Sequence, residues 1–310
     1  MTPRLTQSQR VEGGLVGLLV GDALGVPYEF SPAQLVPPTH EIEFDPPAGF
    51  DRSHASVPPG TWSDDGAQAL CLLDSLLDER WLDLDDFASR LVEWHDRGRY
   101  AVDGFVYDCG IQTTRAVGAL RDGVPPGESG PSHEQDNGNG SLMRVLPLAL
   151  WHTGDDAHLV RDAERQSLPT HGHLRSRLCC ALYCLWARRI SQSHAHPWDD
   201  AVATLRALRS DDAEALAELA GPIGVDREPE PTGSGYVVGC LQSARFCLRQ
   251  GSYEAVVKSA VSLGDDTDTT AAVAGGLAGV RHGIDGIPER WRRQLRGREI
   301  LTPILERLLA

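Results

Sequence analysis

Apolar residues recur every three or four positions along most of the chain, the spacing of one face of an α-helix. Leu174, Leu178, Leu182 and Leu185 are the plainest instance. The same period predicts helices over 6–20, 66–79, 84–97, 109–122, 142–153, 172–190, 198–208, 211–220, 235–250, 253–262, 267–282 and 288–308. Only residues 40–45, His-Glu-Ile-Glu-Phe-Asp, alternate as a strand does. The expected class is all-α. Three long breaks interrupt it: Ser31 to Pro59 with seven prolines, Gly123 to Gly140 ending in Asp136-Asn137-Gly138-Asn139-Gly140, and Gly221 to Gly235 leading into Tyr236. Loops of such length in a folded domain tend to carry function.

With 310 residues, 41% hydrophobic and 24% charged, the chain can bury a full core, which excludes a disordered, collagen-like or small disulfide-stapled protein. No linker divides it, so one domain over 1–310 is expected. The net charge of -15 disfavours non-specific attachment to nucleic acid or to an anionic membrane. Seven cysteines without a CxxC pair suit reduced, buried thiols and a cytoplasmic location. The stretch from Met1 to Arg10 is polar, and Gly, Asp or Arg interrupts the apolar runs, so neither an export signal nor a membrane span is expected. Lys258 is the single lysine, which leaves little room for Schiff-base chemistry.

Candidate chemistry lies in two acidic clusters some two hundred residues apart, Ser63-Asp64-Asp65 and Asp265-Asp266-Thr267-Asp268-Thr269. Each opens a predicted helix, and helix capping alone would account for either. Capping needs one side chain, however, whereas Asp266, Asp268 and Thr269 offer two carboxylates and a hydroxyl in four residues. The helix that follows, Ala271 to Gly279, is faced almost wholly with Ala and Gly, so neighbouring helices can approach it closely. Carboxylates gathered there repel one another unless protonated or bound to cations. All the donors are hard oxygens without His or Cys at zinc spacing, which points to two Mg²⁺ or Mn²⁺ ions about 3.5–4 Å apart. The segment Gly17 to Phe30 reads as a close-packed helix ending at Gly25-Val26-Pro27, since it lacks a GK[ST] phosphate loop. Glu29, at the lip of the Pro-rich break, can move beside a metal centre and donate a proton, though taken alone it reads more simply as a surface-loop residue.

In combination these segments resemble the ADP-ribosylglycohydrolase family. The resemblance is carried in order by Gly21-Asp22-Ala23-Leu24-Gly25 through Glu29-Phe30, Thr61-Trp62-Ser63-Asp64-Asp65, Asn137-Gly138-Asn139-Gly140-Ser141 to Met143-Arg144, Thr170-His171, Gly264 to Thr269 with Ala271 to Gly279, and Ile287-Pro288 with Trp291. It implies a multi-helix orthogonal bundle with a central binuclear cleft that hydrolyses the bond between ADP-ribose and an acceptor, reversing mono-ADP-ribosylation. Ser63, Asp64, Asp65 and Asp268 would hold one ion, and Asp266, Asp268 and Thr269 the other. Two departures stand out: Gly66 where the family often has Thr, and Asp265 where it often has Gly.

The expected reaction passes through an oxocarbenium-like state and needs an acid for the leaving group. Glu29 is the first choice for an O-linked acceptor. Asp136 is the first choice for an arginine-linked one, because the resemblance implies an acid at that loop position. Backbone N–H groups of Gly138, Gly140 and Ser141, with Asn137 and Asn139 around them and a helix expected from Leu142, would meet the diphosphate. His171 could bond the diphosphate or ribose and Tyr236 could stack on adenine; packing roles suit both as well. Expected substrates are ADP-ribosylated protein or a small ADP-ribosyl conjugate, and the chain is expected to act as a monomer. A binuclear phosphoesterase and a non-catalytic ADP-ribose-binding module are the competing readings.

Overall fold

The computed structural model describes residues 5–310; Met1 to Arg4, the start of the polar N-terminal stretch, lie outside the described residues. Among the described residues there are fourteen α-helices and no strand: α1 (Gln7–Gly25), α2 (Asp64–Glu79), α3 (Leu84–Arg97), α4 (Ile111–Arg121), α5 (Leu146–Trp151), α6 (Asp156–Arg165), α7 (Leu174–Ser191), α8 (Pro197–Leu208), α9 (Ala213–Ala220), α10 (Val237–Cys247), α11 (Tyr253–Val261), α12 (Thr267–His282), α13 (Glu289–Gln294) and α14 (Arg298–Leu309). The chain is all-α, as its periodicity predicts. It forms two compact units. The first takes the described residues up to Gly66, with Pro229–Gly235 and Gly239–Ala310; the second takes Ala67–Glu228 and Tyr236–Val238.

In the first unit α1 lies directly on α12. Glycines at every fourth position of α1 bring the two backbones together. A Cβ on Gly13 would stand 2.5 Å from the Gly279 carbonyl oxygen, and one on Gly17 2.6 Å from that of Gly275. Gly21 meets the Ala271 carbonyl and Gly25 the backbone of Asp268 in the same way. Each glycine costs helix propensity of about 1 kcal/mol relative to Ala, and close packing offsets it. By length and composition the segment Gln7–Tyr28 could cross a membrane, contrary to the expectation that every apolar run stops short of a span. Its most apolar window is 94% buried within the protein, as befits a core helix.

In the second unit α7 is the central element, packed by α5, α6, α8 and α9 and buried on nearly every side. All seven cysteines are free thiols, and Cys179, Cys180 and Cys184 lie in this helix's packed faces.

Four expectations need correction. Residues 40–45 form no strand. Ile42 and Phe44 are buried as the alternation requires, but the Tyr28 hydroxyl takes both backbone groups of Glu43, donating to its carbonyl (2.8 Å) and accepting from its N–H (3.0 Å). The helix expected from Leu142 begins only at Leu146 with Pro147 in its first turn, and the N–H groups of Leu142 and Met143 both turn back to the Asn139 carbonyl. Helix α6 has no counterpart in the predicted set. The helix expected over 288–308 is broken at Gly297, whose φ of 69° no helix accommodates; there the Arg296 N–H bonds the Gly60 carbonyl.

Candidate metal centre and substrate loop

The contact of α1 with α12 sets the two acidic clusters side by side in the first unit. Asp22, wholly buried near the end of α1, accepts from the backbone N–H of Ser63 and of Gly66, both at 2.8 Å. It thereby satisfies the N-terminal turn of α2. Asp22 was not singled out from the sequence; its signal is a carboxylate embedded among Gly, Ala and Leu. The Ser63 hydroxyl donates to Asp65 Oδ2 at 3.2 Å, and the Thr269 hydroxyl reaches the same oxygen at 3.3 Å. Residues from both clusters therefore converge on one carboxylate.

At the start of α12, Asp266 holds the N-cap position yet makes no side-chain capping hydrogen bond. Its carboxylate, with those of Glu29 and Asp268, places oxygens within 4.8 Å of one another, and Glu29 and Asp268 are buried. Simple capping does not account for this arrangement. Three like charges at such separations, away from bulk water, repel strongly without a cation between them. An all-oxygen donor set of carboxylates and hydroxyls suits Mg²⁺ or Mn²⁺, so the residues present fit such ions.

Glu29 owes its position to backbone ties. The Phe30 N–H donates to the Asp265 carbonyl (2.6 Å) and the Asp265 N–H to that of Ser31 (2.7 Å). The returning end of the Pro-rich segment clamps the other side. The Ser53 N–H bonds the Pro27 carbonyl, the Ser53 hydroxyl bonds that of Glu29, and His54 Nε2 lies 2.6 Å from Glu29 Oε2. His54 was missed because nothing in its Pro-rich surroundings marks it. The third break contributes as well: the Asp266 N–H donates to the Gly233 carbonyl at 2.8 Å.

Both departures from the family pattern have local causes. Asp265 has φ 56°, the left-handed region where glycine is most at ease and Asp is tolerated. A Cβ at Gly66 would stand 2.6 Å from Leu19 Cδ2 and 2.9 Å from Trp62 Cβ. Gly66→Thr is therefore expected to lower stability by about 1–3 kcal/mol, the cost of overpacking a core, instead of restoring a family feature. A denaturation midpoint at or above wild type would contradict this.

The glycine-rich loop belongs to the second unit. Asn137 is buried and committed internally: its Nδ2 donates to the Glu134 carbonyl (2.9 Å), its Oδ1 accepts from the Ser176 hydroxyl (2.9 Å), and its carbonyl accepts from the Val237 N–H. Gly138 pairs with Tyr236 across an isolated bridge. The Ser141 hydroxyl accepts from that of Ser167 at 2.8 Å, and Asn139 is also buried. Gly140 packs against His171, where a Cβ would meet the ring at 2.8 Å. His171 is buried with Nδ1 2.8 Å from the Thr170 hydroxyl, and burial holds its pKa well below the usual imidazole range. The ring of Tyr236 is partly exposed and Arg175 donates to its hydroxyl at 3.1 Å. Asp136 is half-buried and its carboxylate accepts from the His133 N–H at 3.1 Å, closing a turn. Arg144 anchors the end of the loop, fully buried, with bonds to Gln68 (2.9 Å) and Gln166 (2.9 and 3.2 Å).

A model of ADP-ribosylglycohydrolases matches residues 3–310. The chain belongs to the ADP-ribosylglycohydrolase family. Among solved structures it is similar to an ADP-ribosylglycohydrolase-related protein complex, with a TM-score of 0.78 and 31% identity, over 98% of both chains. It is 29% identical to the ADP-ribosylarginine hydrolase Tri1 of Pseudomonas putida (91% of this chain, 73% of the relative). It is 27% identical to the ADP-ribosyl-[dinitrogen reductase] glycohydrolase of Rhodospirillum rubrum (92% and 90%) and 28% identical to ADP-ribosylhydrolase ARH3 of Danio rerio (96% and 90%). This family member is thus a glycohydrolase with the family's all-α fold.

Proposed function

We propose that the protein removes ADP-ribose from an acceptor, with a protein side chain as the acceptor, and that it depends on two divalent ions, Mg²⁺ or Mn²⁺. The gathering of Glu29, Asp266 and Asp268 within 4.8 Å carries this reading, because such a cluster calls for cations. Ser63, Asp64, Asp65 and Asp268 are assigned to one ion and Asp266, Asp268 and Thr269 to the other. When bound, such ions fix ribose hydroxyls and lower the pKa of a water.

Asp22 holds the ligand turn of α2 in place, and the hydroxyls of Ser63 and Thr269 orient Asp65. The backbone N–H groups of Gly140 and Ser141 are assigned to the diphosphate, framed by Asn137 and Asn139, whereas the expected part of the Gly138 N–H is withdrawn because it is spent on the Gln112 side chain at 3.3 Å. His171, as a neutral imidazole, contributes a hydrogen bond to diphosphate or ribose, and the half-exposed Tyr236 ring offers a face to adenine. In the reaction the bond from the anomeric carbon (C1″) of the distal ribose to the acceptor breaks, water adds its hydroxyl to C1″, and the acceptor leaves with a proton. Glu29 takes the proton that the water releases and passes it to an O-linked acceptor, and Asp136 does so for an arginine-linked one.

Arginine-linked ADP-ribose is the first substrate to test, given the relatives named for it. The whole chain, 1–310, is taken as one functional domain, acting as a cytoplasmic monomer. In assays with each divalent ion on arginine-linked and serine-linked ADP-ribose, Glu29→Gln is expected to lose about 100-fold or more on the O-linkage and Asp136→Asn as much on the N-linkage. Full activity of both variants on both linkages would remove the two acids from the mechanism. Calorimetric binding of ADP-ribose without hydrolysis of any linkage would favour a binding module. Turnover of generic phosphoesters alone would favour a phosphoesterase.

A further inference from the structure

Gln112, the second residue of α4, touches both substrate elements that the sequence marks separately in this unit. Its Nε2 donates to the Asp136 carbonyl at 3.0 Å and to the Thr170 carbonyl at 3.2 Å, while its Oε1 accepts from the Gly138 N–H at 3.3 Å. One planar carboxamide thus bridges the glycine-rich loop and the turn that carries His171. A carboxamide offers two donors on one atom and an acceptor on the other, which two carbonyls and one N–H require here; the orientation of the group follows from those three partners. Thr113, the next residue, is buried with its hydroxyl 3.3 Å from the position a Gly140 Cβ would take, so the first turn of α4 backs the loop at two points.

We infer that Gln112 is a positioning residue for the diphosphate-binding loop, holding Asp136 to Gly138 in register with Thr170-His171. This rests on the reading that the loop receives the diphosphate. Without the carboxamide the Asp136 and Thr170 carbonyls lose their common donor and the Gly138 N–H its acceptor, so the loop must be ordered by the ligand itself and affinity falls. Neither α4 nor the loop contributes an assigned metal ligand. The effect therefore belongs to nucleotide binding, and divalent-ion affinity stays as it is.

The test uses the full chain in Mg²⁺ with ADP-ribose as probe. Amide exchange of the peptide spanning 136–142 in wild type reads the loop assignment, and calorimetry on Gln112→Ala and Gln112→Glu reads the inference. Gln112→Ala is expected to weaken ADP-ribose about tenfold, with faster exchange of that peptide in the free enzyme. Gln112→Glu is expected to be weaker still, since it keeps the shape but sets a charged oxygen against two carbonyls. Both variants should melt within about 2 °C of wild type. Protection of the peptide by ADP-ribose together with unchanged affinity in both variants would overturn the positioning role and leave the loop assignment standing. No protection in wild type would overturn the loop assignment and the inference with it. A fall in melting temperature and in divalent-ion affinity alongside nucleotide affinity would show a merely structural residue and also overturn the inference.

Discussion

Asp268→Asn is expected to abolish stoichiometric Mn²⁺ binding and to reduce hydrolysis by more than about 100-fold, beyond what loss of an outer hydrogen-bonding partner of a metal costs. The same substitution should not destabilise the metal-free protein. Asp268 is fully buried within a cluster of like charges, so removing one of them relieves repulsion at nearly constant volume. The thermal midpoint of the chelated protein is expected to match or exceed wild type, while the rise produced by added Mn²⁺ disappears. A variant that still binds two ions, or one that melts well below wild type without metal, would contradict the assignment of this residue. Asp268 would then be a structural carboxylate whose partners lie in the protein.

Gly21→Ala is expected to destabilise the fold by about 3 kcal/mol and to weaken metal binding with it. Propensity alone forecasts the opposite sign, a gain of about 1 kcal/mol from replacing a helical glycine. The Ala271 carbonyl decides the outcome, because the new methyl would collide with rigid backbone. Relief requires α1 and α12 to separate, which carries Asp22 away from the Ser63 and Gly66 N–H groups that it holds. Gly118 of α4 is the control: nothing lies within 4 Å of its Cβ position, so Gly118→Ala should stabilise by about 0.5–1 kcal/mol. Urea denaturation of the two variants checks both signs. Equal effects at the two positions would show that propensity, and not the helix contact, governs this core.

Helices were legible wherever apolar residues are dense enough to repeat over several turns, as in α1, α7 and α12, which are buried along most of their length. Helix α6 escaped because its buried positions include Asp162 and Glu164. Glu164 is held by ion pairs to Arg177 (3.1 Å) and Arg209, and Asp162 by one to Arg161 (3.2 Å). Leu159 and Val160 are the helix's only large apolar residues, too few in ten positions to set a period. The break at Gly297 was hidden because the space a side chain there would need is taken by the ring of Trp62, far away in sequence. Of the site, the carboxylates and the glycine-rich loop were legible as dense local groupings of one chemistry. Asp22, His54 and Gln112 were not, since each acts only through contacts with segments distant in sequence.

The sequence by itself determined the helical class, the two acidic turns, the glycine loop and the family, because these are set by local spacing and composition. Only the tertiary structure decided which carboxylates share a space. Four glycines let α1 and α12 touch backbone to backbone, and that contact brings Asp22 and Asp65 from one end of the chain to Asp268 and Thr269 at the other. Charge repulsion among side chains depends on distance through space, and no one-dimensional pattern states that distance.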